Sequence, residues 1–221
     1  MEYTIKVNVV KNKENIKGFA SIVFGDSMKI TNVAILEKKD KSGLYLAMPR
    51  YKTNEKDEQN WNIYKDVCHP ITAEFREELY RNILETYEQT RQGKQPEAKT
   101  DGKMPKFTVK VTPYERPGSN IRGFARIYLE DCFMINNVNL LQGKEKIFVA
   151  MPSFKTKQTD EQGKAVYQDV CYPVTKEFRK KLYDEIQQVY EHERHKKREK
   201  MQEQTQQRKQ HTKEKREIAR K

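Results

Sequence analysis

Apolar and polar residues alternate from the start of the chain. Ile5, Val7 and Val9 are separated by Lys6 and Asn8, and the same period of two returns at Phe107, Val109 and Val111. That period belongs to a half-buried strand. A second β-rich run follows in each place, Phe19–Phe24 and Phe124–Leu129, each preceded by a glycine suited to a turn or a close backbone approach (Gly18, Gly123). In the third run Met28 and Ile30 share one parity while Val33 and Ile35 take the other, and Phe133 and Ile135 are out of phase with Val138 and Leu140 in the same way. One extra residue restores a single buried face, so the pattern predicts a β-bulge at Asn32 and at Asn136–Asn137. Leu44–Met48 and Ile147–Met151 read as strands stopped by Pro49 and Pro152, with a long polar loop beyond each. Short β-like segments end at Val67 and Val170, and after Pro70 and Thr72, and after Pro173 and Thr175, the period changes to four. Phe75, Leu79, Ile83 and Tyr87 are matched by Phe178, Leu182, Ile186 and Tyr190, one apolar stripe on each of two helices.

These parallels are a tandem repeat. Ile16-Lys17-Gly18-Phe19-Ala20 returns as Ile121-Arg122-Gly123-Phe124-Ala125, and Leu46-Ala47-Met48-Pro49 as Val149-Ala150-Met151-Pro152. Asp66-Val67-Cys68-His69-Pro70 returns as Asp169-Val170-Cys171-Tyr172-Pro173, in unchanged order. The expected organisation is a first module over residues 1–90, a linker over 91–106 with its boundary near residue 98, a second module over 107–192 and a tail over 193–221. The linker reads RQGKQPEAKTDGKMPK, without apolar period. The fold class is α+β: two small antiparallel sheets, each with a C-terminal helix, plus a basic tail that is either helical or disordered.

Composition adds a direction. Apolar residues form 35% of the chain and charged residues 34%, and the formal net charge is +12. Such a balance favours an anionic partner, nucleic acid first. Half of that charge lies in residues 191–221, where twelve Lys and Arg face six Glu. The start of the chain lacks the apolar h-region of a secretory signal and no stretch approaches a membrane span, so the cytoplasm and no membrane partner are expected. Three cysteines without a C-x-x-C pair argue against a disulfide framework or a zinc site.

The assembled motifs, LAMPRYKT followed by YKDVCHPITAEFREELYRNILETYE and VAMPSFKTK followed by YQDVCYPVTKEFRKKLYDEIQQVYE, resemble the SpoVG (stage V sporulation protein G, septation protein) family. The resemblance covers most of each repeat. It implies a small dimeric module that binds DNA and, in some members, RNA, as a bacterial regulator. It also implies that the basic positions after the AMP motif, Arg50 and Lys52 in one copy and Lys155 and Lys157 in the other, contact the nucleic acid. Ser153 stands where the first copy has Arg50, and Tyr51 and Phe154 lie beside these cations as candidates for base stacking. A tandem chain is expected either to pair within itself as a pseudo-dimer or to pair with a second chain as a homodimer.

Charge alone adds further candidates. The second helix presents Lys176, Arg179, Lys180 and Lys181 with less acidic compensation than the first, and Lys196, Lys197 and Arg198 open the basic run of the tail. Copy two and the tail are therefore expected to contribute more of the binding. Catalysis is not expected: His69 is replaced by Tyr172 in the other copy, the His192–His195 spacing lacks the H-E-x-x-H register, and no glycine-rich phosphate loop occurs. No cofactor or metal is expected. The competing reading is a protein-interaction adaptor that recruits an acidic partner.

Overall fold

The computed structural model describes residues 1–11, 15–94 and 102–218, the side chains of 209–218 excepted. The predicted boundary near residue 98 and the last three residues of the tail lie outside these ranges.

Copy one runs β1 (Tyr3–Val9), β2 (Ile16–Phe24), β3 (Met28–Glu37), β4 (Leu44–Ala47), β5 (Arg50–Lys56), β6 (Asn62–Asp66), β7 (Cys68–Pro70) and α1 (Ala73–Arg91). Copy two repeats that order as β8 (Phe107–Pro113), β9 (Ile121–Leu129), β10 (Phe133–Gln142), β11 (Ile147–Ala150), β12 (Ser153–Thr159), β13 (Ala165–Asp169), β14 (Cys171–Pro173) and α2 (Lys176–Ile218). All pairings are antiparallel, so the class is α+β, as the alternation and the helical stripes indicate.

The two copies exchange a strand. β14 pairs with β3, Cys171 opposite Ile30, and β7 pairs with β10, Cys68 opposite Ile135. Each five-stranded sheet therefore holds four strands of one copy and one of the other. The predicted bulges mark the place of exchange. One edge of β3 is shared, residues 28–30 by β14 and residues 34–37 by β4, and the register slips between them at Thr31–Asn32. The N–H of Thr31 donates to the Val170 carbonyl at 2.8 Å, and that of Asn136 to Val67 at 2.7 Å. The bulge thus frees a donor from the ladder and the crossing segment accepts it, so no buried amide is stranded. Asn32 and Asn137 sit at φ 60 and 59, a conformation that asparagine tolerates better than most residues.

Burial follows the alternation. Ile22, Phe24, Ile30 and Val33 of copy one and Ile127, Leu129, Ile135 and Val138 of copy two are fully buried and belong to one continuous core. On each helix the predicted stripe is the buried face. Thr72 Oγ1 accepts from the Phe75 N–H at 3.3 Å and Thr175 Oγ1 from that of Phe178 at 3.2 Å, so both helices start at the predicted caps. Arg76 donates to the Pro70 carbonyl at 2.9 Å and Arg179 to that of Pro173 at 3.2 Å, tying each exchanged strand to its own helix.

α1 stops where Gly93, at φ 78, lets Lys94 N–H reach the Gln89 carbonyl and Gly93 N–H reach that of Thr90, a Schellman ending. Lys196 occupies the equivalent position of copy two, and α2 continues to Ile218. Of the two forms expected for the tail, the helical one is present. It runs about 40 Å beyond residue 192 at 1.5 Å per residue. Among the described residues no helix is long and apolar enough to cross a membrane.

The long polar loops expected after Pro49 and Pro152 instead open with strands β5 and β12, which pair with β6 and β13, the short β-like segments expected before Val67 and Val170, to form two-stranded arms. Both faces of these ribbons are largely exposed, so no apolar alternation betrays them. Their turns carry a local signal. Asp57 Oδ1 accepts from the N–H of Gln59 and Trp61, and Asp160 Oδ1 from the N–H of Gln162 and Lys164, with Asn60 and Gly163 at positive φ. Such turns are what Asp-x-x-Asn and Asp-x-x-Gly favour.

Candidate nucleic-acid interface

Arg50 and Lys52 lie on β5, and Lys155 and Lys157 on β12, all exposed. Strand pleat places Arg50 and Lys52 on one face of the first arm, whereas in the second arm the register slips between Lys155 and Thr159, the stretch that holds Lys157. Lys52 is directly opposite Tyr64 across the first arm, and Lys155 directly opposite Tyr167 across the second. Tyr64 is 50% and Tyr167 63% exposed, and the Arg50 guanidinium lies 5.2 Å from the Tyr64 ring centroid. Trp61, at the tip of the first arm, is 71% exposed. Among the described residues none of the four cations has an acidic partner. Each arm therefore presents cations beside open aromatic faces. The sequence points to Tyr51 and Phe154 but not to Tyr64, Tyr167 and Trp61, because a segment that reads as a polar loop shows no cross-strand partners.

The helical candidates form separate groups. Lys176, Arg179, Lys180 and Lys181 occupy the first two turns of α2. Arg179 is engaged at Pro173, Lys180 pairs with Asp184 at 2.7 Å, and Lys181 sits 5.9 Å from the Phe107 ring. Lys180 is exposed, and its hydrogen bond to Asp184 raises its pKa. Lys196, Lys197 and Arg198 lie farther along α2, exposed, where Lys197 approaches the Pro113 carbonyl at 3.5 Å. The preceding turn is fixed by Arg194, 3.8 Å from Glu115.

Cys68 and Cys171, on the exchanged strands, are fully buried. Burial pushes both thiols well above the ordinary thiol range, Asp66 and Asp169 adding to it. They are inert core groups. His69, opposite Met134, is half-buried, and its Nδ1 has no hydrogen-bond partner among the described residues.

The order of elements, repeated after the AMP motif in both copies, matches one family model twice, over residues 1–89 and 104–192. The chain belongs to the SpoVG family. Its SpoVG relatives match over about the length of one module. A septation protein SpoVG of Treponema denticola is 38% identical over 91 residues, covering 41% of this chain and 89% of the relative. Those of Phytoplasma australiense and Clostridium beijerinckii are 36% identical over 73 residues and 30% over 84, covering 33% and 38% of this chain and 70% and 84% of the relatives. A SpoVG relative thus spans one copy, and this chain carries two.

Proposed function

We propose that this tandem SpoVG protein is a cytoplasmic regulator that binds nucleic acid through its two arms, assisted by the basic length of α2, and that it acts by binding rather than by catalysis. The observation that carries this reading is the Lys–Tyr pair repeated across both arms, Lys52 with Tyr64 and Lys155 with Tyr167. Lysine meets phosphate without needing fixed geometry, releasing counterions, and an exposed ring beside it offers a stacking surface to any base. A two-stranded ribbon also has the cross-section that the major groove of DNA admits. The tandem repeat supplies two such ribbons from one chain, the arrangement that the family's pairing modules would otherwise reach by association.

Fluorescence anisotropy of labelled duplex DNA and RNA against salt tests the reading. Changing Arg50, Lys52, Lys155 and Lys157 to Ala is expected to weaken binding. It is also expected to flatten the log–log salt slope by about 0.9 for each phosphate that the variant no longer neutralises on duplex DNA. Absence of binding by the unaltered chain at low salt overturns it. Retention of an acidic protein partner after nuclease treatment, with no nucleic-acid binding, would favour the adaptor instead.

A further inference from the structure

A cleft of about 690 Å³ lies between the first arm and the outer face of the second sheet. It is a composite of both copies: Tyr51 and Lys65 enter from the arm, and Lys110, Phe124 and Arg126 from β8 and β9. Arg50 and Lys52 are not among its lining residues. The pleat gives the arm two faces, and Tyr51, directly opposite Lys65, is on the other one.

Three features mark the cleft as a site rather than a gap. Lys110 and Arg126 are direct cross-strand neighbours. Like charges so placed repel and destabilise a sheet, and among the described residues neither has an acidic partner. Beside them Phe124 is 38% exposed, its ring held edge-on by Tyr114 at a centroid distance of 5.2 Å. The counterpart positions of the other half lack this arrangement: Ser21 replaces Arg126 and Gln168 replaces Lys65, with Lys29 in place of Met134. Lys6 therefore faces a serine. The outward side of each sheet does not build the core, so packing does not dictate this difference.

We propose that this cleft binds an unpaired nucleic-acid strand, its phosphates on Lys110 and Arg126 and a base against Phe124 and Tyr51. The pairing of open aromatic and cation without a fixed acidic partner suits a strand whose bases are unstacked, whereas the paired bases of a duplex present no free ring face. Asp66, also at the cleft, is an acceptor suited to a base N–H, such as the N3–H that an unpaired thymine or uracil exposes, rather than to phosphate. Lys65 is bridged to Glu55 at 3.3 Å, an exposed pair that a phosphate can exchange at small cost.

The inference rests on the nucleic-acid reading but fails separately from it. Anisotropy with labelled dT12, rU12 and a duplex is measured on the full chain, on Lys110→Ala/Arg126→Ala, on Phe124→Ala and on the control Lys6→Ala, with circular dichroism to establish that each is folded. The expected result is a loss of about tenfold or more for the single strands in the first two variants, with duplex affinity changed less than about threefold and Lys6→Ala close to the unaltered chain. The relative affinities of dT12 and rU12 distinguish a DNA strand from an RNA strand. Unchanged single-strand binding by folded variants overturns the cleft while leaving the arms' role standing. An equal loss for duplex and single strand overturns the strand-specific assignment, and no binding of any probe by the unaltered chain overturns both readings. Photocross-linking of a 5-iodouracil-substituted strand to Tyr51 or Phe124 gives an independent readout, and cross-links confined to the outer faces of the arms count against the cleft.

Discussion

The rings of Phe24 and Phe133 lie 4.8 Å apart, tilted by 54°, and they come from different copies of the repeat. Both are fully buried. Together with the exchanged strands they leave no seam of solvent between the copies along this part of the core. Phe133→Ala is expected to cost about 3–5 kcal/mol, the range for a buried phenylalanine truncation. Urea unfolding followed by far-ultraviolet circular dichroism checks this; a single transition at a lowered midpoint is expected, since both copies contribute to one core.

A fragment of residues 1–94 retains β3 but loses β14, leaving the edge at Met28–Ile30 unpaired while its own β7 has no sheet to enter. Two such fragments can satisfy each other. Light scattering is expected to give a dimer for the fragment, and a stable, folded monomer would contradict the strand-exchange argument.

Gly123 permits a close approach. A Cβ built there would meet the Tyr190 ring at 3.2 Å and the Thr112 carbonyl at 3.3 Å. At Gly18 the Asn8 carbonyl is nearer still, at 2.9 Å. Gly123→Ala is expected to destabilise by about 1–3 kcal/mol through overpacking, and Gly18→Ala by at least as much because backbone yields less readily than a ring. Denaturation midpoints measure both.

The bulge makes a sharper test of backbone conformation. Asn137→Val places a β-branched residue at φ 59 and is expected to destabilise, while Asn137→Gly is expected to be tolerated. Equal stability of the two variants in thermal unfolding would mean that the bulge relaxes.

Cys68 and Cys171 hold their protons in the folded state beyond the ordinary thiol value of 9.0, because burial disfavours the thiolate. The unfolded chain releases those protons first. The stability from this source is therefore complete below pH 9 and declines as pH rises above it. Urea midpoints between pH 7.5 and 9.8 are expected to fall, and to fall less steeply in Cys68→Ala/Cys171→Ala. Tyr3, raised by burial and by its hydrogen bond to Glu78, adds a further decline above pH 10.

Much of the scaffold is legible along the chain because it is written in burial. The parity switch from Ile30 to Val33 locates the bulge, and the four-residue stripe from Phe75 to Tyr87 locates the helix, since each answers to a buried face. The exchange is not legible, because Cys68-His69-Pro70 presents the same alternation whichever sheet receives it. Periodicity reports which side of a strand is buried and not which neighbour buries it. The arms are hidden for the opposite reason: Arg50–Lys56 buries neither face, so only its Asp-x-x-Asn turn announces it. Arg50, Lys52, Lys155 and Lys157 follow from the family pattern. Lys110 and Arg126 do not, because their significance lies in a cross-strand pairing that no linear spacing records.

Strand exchange within one chain also changes what a single substitution does. In a pair of identical subunits, every alteration appears twice, once in each symmetric half, and a charge that helps one cleft must be accepted in the other. Here Arg126 exists once, and Ser21 answers it on the opposite side. Joining the copies released the two halves from symmetry, and each surface became free to acquire its own ligand.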